Sequence, residues 1–459
     1  MQRRDFLRHT LCATAGSALF SSLAGKLSIA HAAAAADRHL LGGNYRALVC
    51  VFLYGGNDAF NMLVPTSTGE YAEYAQVRGG LALSQASLHA LNPLQPVTGA
   101  GSVGLCAQMP QLAALFNQAQ SPLALIANVG PLLHPITRNE YQSGAVPVPM
   151  HLFSHSDQTV TWQKPAADHA ARRGWGGRLA DLFHASNPNP TLSMNISVDG
   201  ENVFQAGDTV VPYFVAQHGA EVISLVNEQP WNAQRRATFL ALRDTAHGHA
   251  MQRQFANVVR RSMGNAAQVD AALAAANPLT TAFPSTHLGR QLRMVARLIN
   301  VRSALQMQRQ VFFVGLGGFD THATQLEDHA ALMGQLDGAL AAFHAATLEM
   351  QVQDSVTTFT SSEFGRTTSV NGDGTDHGWG SHHLVLGGAV NGRRVYGGLP
   401  RLAVNGPDDA GWGQIIPTIA VDQYAATLAR WYGVPAADMT TVFPNIGRFG
   451  SANLGFMAG

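Results

Sequence analysis

The chain has 459 residues, of which 46% are hydrophobic and 13% charged, and its 29 basic and 29 acidic side chains give a formal net charge of zero. This balance provides no basic surface for nucleic acid or an anionic membrane, so we expect no nucleic-acid partner. Three cysteines are too few for a disulfide-stapled scaffold or an iron–sulfur centre, and the length suits one large α/β domain or two ordinary ones.

The N-terminus has the pattern of an export signal. MQRRDFLRH contains a twin arginine followed by Phe-Leu, and a short run rich in Ala, Leu and Ser leads to Ala-His-Ala at 30–32. The alternative is a membrane-anchoring helix, but the run is short and interrupted by Lys26. We therefore predict a Tat signal peptide over 1–32, recognition by the Tat translocase, a periplasmic or secreted product and no stable membrane insertion. Cys50 and Cys106 remain after cleavage, and whether they pair stays open.

Apolar runs and helical patterns alternate along the mature chain. Four runs that end in glycine or polar residues predict buried strands over 46–58, 121–130, 309–320 and 354–365. Helical periodicity is found over 109–120, 285–306 and 321–346. This order predicts an α/β fold over 40–459, with a largely parallel central sheet flanked by helices on both faces. The segment from about 190 to 284 begins Pro/Asn-rich and then becomes helical, so we interpret it as an insertion or cap.

Ligands of such folds bind beyond the carboxyl ends of the strands, and two polar clusters follow predicted strands directly. GGNDAFN places Asp58 after the first strand; an ordinary Gly-Asn-Asp turn is the alternative. GGFDTHATQ supplies Asp320 and His322, which point to the same side of an extended chain, as two ligands of one cation must. Capping of the next helix by Asp320 or Thr321 is the alternative there.

A third cluster is the loop GTDHGWGSHH at 374–383. Asp376 and His377 are adjacent, and a glycine-rich bend would fold His382 and His383 back towards them. Carboxylate oxygen and neutral imidazole nitrogen both bind divalent cations. A solvated surface turn is the alternative, but acids and histidines arriving from three strands at one sheet edge favour a metal site.

A fourth cluster lies in HLFSHSDQTVTWQ at 151–163. It precedes or begins a predicted helix, where free amides and the helix dipole favour an anion. The cluster offers a metal-activated hydroxyl nucleophile, with helix capping as the alternative reading. Its polar side chains are Ser154, His155, Ser156, Asp157 and Thr159.

Several of these stretches together resemble a known family. The leader RRDFL, the strand LVCVFLYGGNDAFNMLVP, and FSHSDQ, FFVGLGGFDTHATQ, SSEFGRTTSVNGDGTDHGWGSHHLVLGGAVNG and VDQYAATLARWYGV are similar to the Tat-exported family called domain of unknown function 1501. That family resembles the alkaline phosphatase and sulfatase superfamily. The resemblance implies an alkaline-phosphatase-like α/β sheet, one or two divalent metals at its edge and a hydroxyl-type nucleophile. A Cys/Ser-x-Pro-x-Arg stretch is absent, which disfavours a formylglycine sulfatase.

The resemblance also implies roles for individual residues. Ser154 would be the nucleophile, with Ser156 and Thr159 as alternatives. Arg366 would hold an ester oxygen, unless it forms an ion pair with Glu363. One metal would be bound by Asp58, Asp376 and His377, and the other by Asp320, His322 and either His382 or His383.

Mixed Asp and His ligation predicts zinc or manganese, as one or two ions. We therefore expect an exported metal-dependent hydrolase that acts on a small anionic substrate, a phosphate or sulfate ester. The main alternative is a non-catalytic periplasmic binding or assembly protein that retains the fold. A Tat-exported oxidoreductase is disfavoured, because the sequence has no flavin or nicotinamide fingerprint and no cysteine metal cluster.

Overall fold

A computed structural model describes residues 45–165, 173–220, 226 and 229–458. The predicted signal peptide at 1–32 lies outside the described residues. Within the described part of the chain, no helix has the length and apolar character that a membrane crossing requires.

The main element is a ten-stranded sheet with the order β12-β5-β11-β10-β1-β9-β6-β7-β8, in which β13 also pairs with β5. A small antiparallel sheet has the order β2-β4-β3. The strands are β1 (Arg46–Tyr54), β2 (Leu63–Pro65), β3 (His89–Ala90), β4 (Val103–Leu105), β5 (Leu123–Gly130), β6 (Asn195–Ser197), β7 (Tyr213–Ala216), β8 (Gly219–Ala220), β9 (Arg309–Gly317), β10 (Val356–Ser361), β11 (Ser381–Leu386), β12 (Arg394–Tyr396) and β13 (Ile419–Ala420).

Helices connect and cover these strands. The helices are α1 (Ala59–Met62), α2 (Thr68–Arg78), α3 (Pro110–Phe116), α4 (Arg138–Ser143), α5 (His155–Gln163), α6 (Trp175–Phe183), α7 (Ala233–Asp244), α8 (Ala250–Ala275), α9 (His287–Asn300), α10 (Gln325–Glu349), α11 (Val421–Tyr432) and α12 (Met439–Val442). The predicted strands and helices are confirmed with small shifts at their ends. The α/β class with a mostly parallel sheet is likewise confirmed.

The centre of the sheet consists of β10, β1 and β9, which run parallel to one another. β1 and β9 are buried except at their terminal residues. This burial on both faces explains why their sequences are continuously apolar and do not alternate with polar residues. Because the three strands are adjacent and parallel, the chain leaves all of them at the same edge of the sheet. The candidate site lies at this edge.

The segment from 190 to 284 contributes to the sheet as well as to helices. Strand β6 pairs with β9, and β7 and β8 continue the sheet beyond it, before the chain forms α7 and α8. The two described cysteines, Cys50 and Cys106, are free and buried. Burial raises the pKa of Cys106 to about 12, so this thiol stays protonated at neutral pH.

Candidate functional site

Three separate segments bring imidazole and carboxylate groups together at the edge where β9 and β10 end. Asp320 and His322 lie in the loop after β9, His377 lies in the loop between β10 and β11, and His155 is the first residue of α5. Ligand atoms of His155, Asp320 and His377 all lie within 4.8 Å of one another. We call Asp320, His322, His377 and His155 together the His/Asp cluster.

Asp320 is at the centre of the His/Asp cluster. Its Oδ1 lies 3.0 Å from Nε2 of His322 and 3.2 Å from Nε2 of His377, and its Oδ2 lies 3.3 Å from Nε2 of His155. The Nε2 atoms of His322 and His377 are 3.1 Å apart. One carboxylate therefore faces the same ring nitrogen of three histidines.

The other ring nitrogen of each histidine faces a hydrogen-bond acceptor. Nδ1 of His155 lies 3.0 Å from Oε1 of Glu363, and Nδ1 of His322 lies 3.3 Å from Oδ1 of Asp376. Nδ1 of His377 lies 2.7 Å from the carbonyl oxygen of Phe153. When Nδ1–H donates to these oxygens, the Nε2 lone pairs of neutral histidines all point towards Asp320.

In that tautomer, the lone pairs and the carboxylate would repel one another at these distances unless a positive charge lay among them. Two ligand atoms of one tetrahedral zinc ion are about 3.3 Å apart, since each bond is about 2.0–2.1 Å long. The separations of 3.0 to 3.2 Å within the group formed by Asp320, His322 and His377 are close to that value. Acceptors on the far ring nitrogen are the usual partners of metal-binding histidines. The donor set therefore fits a divalent cation.

Packing and solvent access also fit a site that binds a ligand. The ring of Phe364 stacks on His377 at 4.5 Å and contacts His155 at 4.9 Å, which restricts both imidazoles. The side chain of Asp320 is 45% exposed and that of His322 is 46% exposed. The cluster is thus held from within the protein and open on its outer side.

The electrostatics keep the carboxylate ionised. Burial alone would raise the pKa of Asp320, but the hydrogen bond and the charge of Arg366 outweigh it and lower the pKa below its usual value. Burial lowers the pKa of His377, which favours the neutral imidazole that a cation needs. The hydrogen bond to Glu363 raises the pKa of His155.

Arg366, predicted to hold an ester oxygen, is a buried hydrogen-bond partner of Asp320 in this structure. Its guanidinium is buried and donates to Oδ1 of Asp320 at 2.7 Å, to the carbonyl oxygen of Gly55 at 3.2 Å and to both oxygens of Thr375. With these donors engaged, Arg366 is a positioning residue for Asp320. The alternative pairing with Glu363 is not formed either, because Glu363 faces His155.

Asp58 does not join the His/Asp cluster. It is fully buried, forms an ion pair with Arg78 and accepts a hydrogen bond from Gln325. In this structure Asp58 therefore has a structural partner and lies apart from Asp376 and His377, with which the sequence predicted that it shares a metal.

His382 and His383 are also placed away from the cluster. The chain does not fold back after the glycines but enters β11, which pairs with β5 through a shift of register between Ser381 and His383. His382 accepts a hydrogen bond from the backbone N–H of Asn128 through Nδ1, and His383 packs against Trp162 at 4.7 Å. Both are buried, and burial lowers the pKa of His382 to about 4 and of His383 to about 3. They are neutral parts of the core.

The loop at 374–383 is anchored by hydrogen bonds to other parts of the protein. Trp379 is buried and donates its Nε1–H to the carbonyl oxygen of Pro131 at 2.9 Å. The amides of Gly378 and Gly380 donate to Gly365 and Ile415. Asp376, predicted to be a metal ligand, faces Nδ1 of His322 on the side of that ring away from Asp320.

Ser154 immediately precedes α5 and lies in the chain between a residue that contacts the cluster and a member of the cluster. Its neighbours are Phe153, whose carbonyl faces His377, and His155. The hydroxyl of Ser154 donates to Oδ2 of Asp157 at 2.7 Å and lies 3.3 Å from that of Ser156. Ser154 thus lies beside the cluster, with its proton directed to a carboxylate.

Sequence reasoning missed two functional residues, His155 and Glu363. His155 belonged to a cluster noted for its hydroxyl groups, and Glu363 was considered only as a partner of Arg366. The available signal was that Glu363 follows a buried strand directly, as Asp320 does. Its carboxylate is 2% exposed and also accepts the backbone N–H of Gly55 at 2.7 Å.

Comparison with known proteins gave one family and several distant structures. The family described as "Protein of unknown function (DUF1501)" matches residues 45–410. No curated protein matches the chain. Similar solved structures include Ps i-CgsB in complex with k-i-k-neocarrahexaose, with 9% identity, 86% of this chain and 74% of that chain covered, and a TM-score of 0.31. A mutant of alkaline phosphatase PafA has 10% identity, coverages of 71% and 64%, and a TM-score of 0.22. Overlaps of this size do not identify a function.

Proposed function

The chain belongs to the DUF1501 family of proteins of unknown function, so its activity has to be inferred from its site. On that premise we propose that it is a metal-dependent hydrolase of phosphate or sulfate esters. The observation that carries the proposal is the arrangement of the three histidines. Each has an acceptor at Nδ1 and directs Nε2 to the carboxylate of Asp320.

Three imidazoles and one carboxylate favour zinc over the all-oxygen sites of magnesium or calcium, with manganese as the second choice. The ligands would be Asp320 and His377 together with the histidines on either side of them: the ligand atoms of His155, Asp320 and His377 lie within 4.8 Å of one another, and those of Asp320, His322 and His377 lie 3.0 to 3.2 Å apart. A bound cation would supply Lewis-acid polarisation of an ester oxygen and attract the anionic substrate. We propose one ion here, since Asp58, His382 and His383 have other partners.

The protein's own residues would perform the remaining tasks. Arg366 keeps Asp320 ionised and in place, and Glu363 holds His155 in one orientation. Ser154 is the proposed nucleophile, because it lies between two cluster contacts and its hydroxyl proton is already hydrogen-bonded to Asp157. The substrate would approach from the exposed outer side of the cluster.

The test is metal analysis of the purified mature protein, followed by assays on a phosphate monoester, a phosphate diester and a sulfate ester. We expect about one zinc or manganese ion per chain and hydrolysis of at least one ester class that a chelator abolishes. Protein without bound metal and without hydrolysis would support the alternative, a non-catalytic binding protein.

Metal binding is expected to weaken in acid, because a protonated imidazole has no lone pair for a cation. The pKa of His155 is raised, so this residue takes up its proton first as the pH falls. We expect affinity to begin falling above the ordinary histidine pKa of about 6.5 and to drop at least about tenfold per pH unit below it. Competition with a chromogenic chelator between pH 5 and 8 measures this.

The matched variant for the pH experiment is Glu363→Gln, which removes the charge that raises the pKa of His155 but keeps an acceptor. Its loss of metal should begin at lower pH than in the wild type. Full metal retention at pH 5 in the wild type would exclude the histidines as ligands.

We also propose export by the Tat route, on the basis of the leader RRDFL. Replacing Arg3 and Arg4 by Lys should leave unprocessed precursor in the cytoplasm, since the route requires the arginine pair. Cell fractionation and N-terminal sequencing measure the outcome. Normal processing of the variant, or a mature N-terminus far from Ala32, would contradict the assignment.

A further inference from the structure

An exposed tryptophan stands on a rigid turn next to the loop that carries His377. Trp412 is 85% exposed, the most of any large apolar side chain among the described residues. Its turn joins the cluster loop through Gln414, whose Nε2–H donates to the carbonyl oxygen of His377 at 3.2 Å. The backbone of this turn therefore lies next to the loop that carries His377.

The turn is built to hold this position. The carboxylate of Asp409 is fully buried, and its Oδ1 accepts the backbone N–H groups of Gly411 at 2.8 Å and Gly413 at 2.9 Å. The amide of Thr368 donates to the carbonyl oxygen of Gly413 at 2.8 Å. A side chain at 413 would collide with the backbone of Ser369, so only glycine fits this approach.

The backbone conformation of Trp412 costs conformational free energy. Its φ is +60°, in the left-handed region that a residue with a bulky side chain rarely adopts. Such a conformation costs about 1 kcal/mol or more, and an exposed indole gains nothing from apolar burial in return. Backbone outliers of this kind cluster at ligand-binding sites. A rigid turn that presents an aromatic face to solvent beside a cation site points to contact with a ligand.

We infer that Trp412 is a stacking platform for a sugar ring, so that the ester substrate is a carbohydrate ester. This inference rests on the proposed function. The C–H face of a pyranose is apolar and packs on the π face of an indole, while its hydroxyl groups stay hydrated or meet polar neighbours such as Ser369 and Gln414. A purely apolar ester would instead call for an enclosed apolar pocket.

Nucleobases also stack on exposed aromatic rings, which would make the substrate a nucleic-acid phosphodiester. The charges near the cluster oppose this reading. The exposed charged side chains of Asp157 and Asp376 are carboxylates, and Arg366 is buried. A polyphosphate chain would need exposed cations along its path. A neutral glycan with a single anionic ester does not need such a row of exposed cations.

The test is binding to metal-stripped mature protein, so that it does not depend on hydrolysis. Isothermal titration calorimetry measures the binding of a panel of neutral α- and β-linked hexasaccharides, of dextran sulfate and of single-stranded DNA. We expect at least one sugar to bind, Trp412→Ala to weaken its binding roughly tenfold, and Trp412→Phe to retain most of it. The matched control is Trp231→Ala, which removes a second tryptophan, 69% exposed and outside the segments that form the cluster, and should leave binding unchanged.

Sugar binding that Trp412→Ala does not weaken, binding of no sugar, or a preference for DNA would each overturn the inference. The outcome is separable from that of the proposed function. Sugar binding through Trp412 without ester hydrolysis would contradict only the hydrolase, and hydrolysis without sugar binding would contradict only the platform.

Discussion

Asp320→Asn should abolish high-affinity metal binding and lower ester hydrolysis by more than about a hundredfold. The physical reason is that Asp320 is the single carboxylate faced by all three imidazoles, at 3.0 to 3.3 Å. Asparagine has the same shape but no charge, so the cation would lose its only anionic partner within the cluster. The measurements are metal content by mass spectrometry and steady-state hydrolysis at saturating metal.

A graded series makes this prediction specific. Asp376→Asn removes only the negative charge of the acceptor behind His322, so we expect a weaker effect, about ten- to a hundredfold in metal affinity. His218→Ala replaces an exposed histidine between β7 and β8 and should change neither metal content nor ester hydrolysis. Wild-type metal content in Asp320→Asn would refute the assignment of the cluster. Equal effects of Asp320→Asn and Asp376→Asn would mean that the distinction between ligand and supporting residue is wrong.

Asp58→Asn should lower the free energy of unfolding by about 3–5 kcal/mol while the folded fraction keeps its metal. The variant leaves the Arg78 guanidinium buried without its counter-charge; both side chains are fully buried. Arg78 also donates to the carbonyl oxygen of Thr367 at 2.9 Å, so it cannot turn to solvent without losing that bond. Urea unfolding followed by circular dichroism measures the loss, and metal analysis of the native fraction measures occupancy.

The matched control is the double variant Asp58→Leu with Arg78→Met, which removes both charges together. It should be more stable than Asp58→Asn, because no uncompensated charge remains in the interior. If Asp58→Asn instead loses the metal without loss of stability, Asp58 is a ligand and the ion pair with Arg78 is not its role.

Local sequence was sufficient for the elements of this fold. Continuous apolar runs identified β1, β5 and β9, because a strand buried on both faces has no polar alternation. The same reasoning placed Asp320, His322 and His377 at one edge of the sheet, since adjacent parallel strands end together. A resemblance to one family, shown by the match over 45–410, agreed with that reading.

Tertiary structure decided which polar residues meet. Asp58 and Asp320 both follow strands of the same sheet, yet one faces Arg78 and the other faces three histidines, because partners from α2 and from the loops select between them. His155 enters the cluster from a helix distant in sequence, which spacing along the chain cannot reveal. His382 and His383 look like ligands in the sequence, but strand pairing with β5 turns them into the core. The sequence by itself determined the elements and the edge where the site lies. Long-range packing alone determined which side chains meet in the His/Asp cluster, since each charge is satisfied by whichever partner the fold brings within a few ångströms.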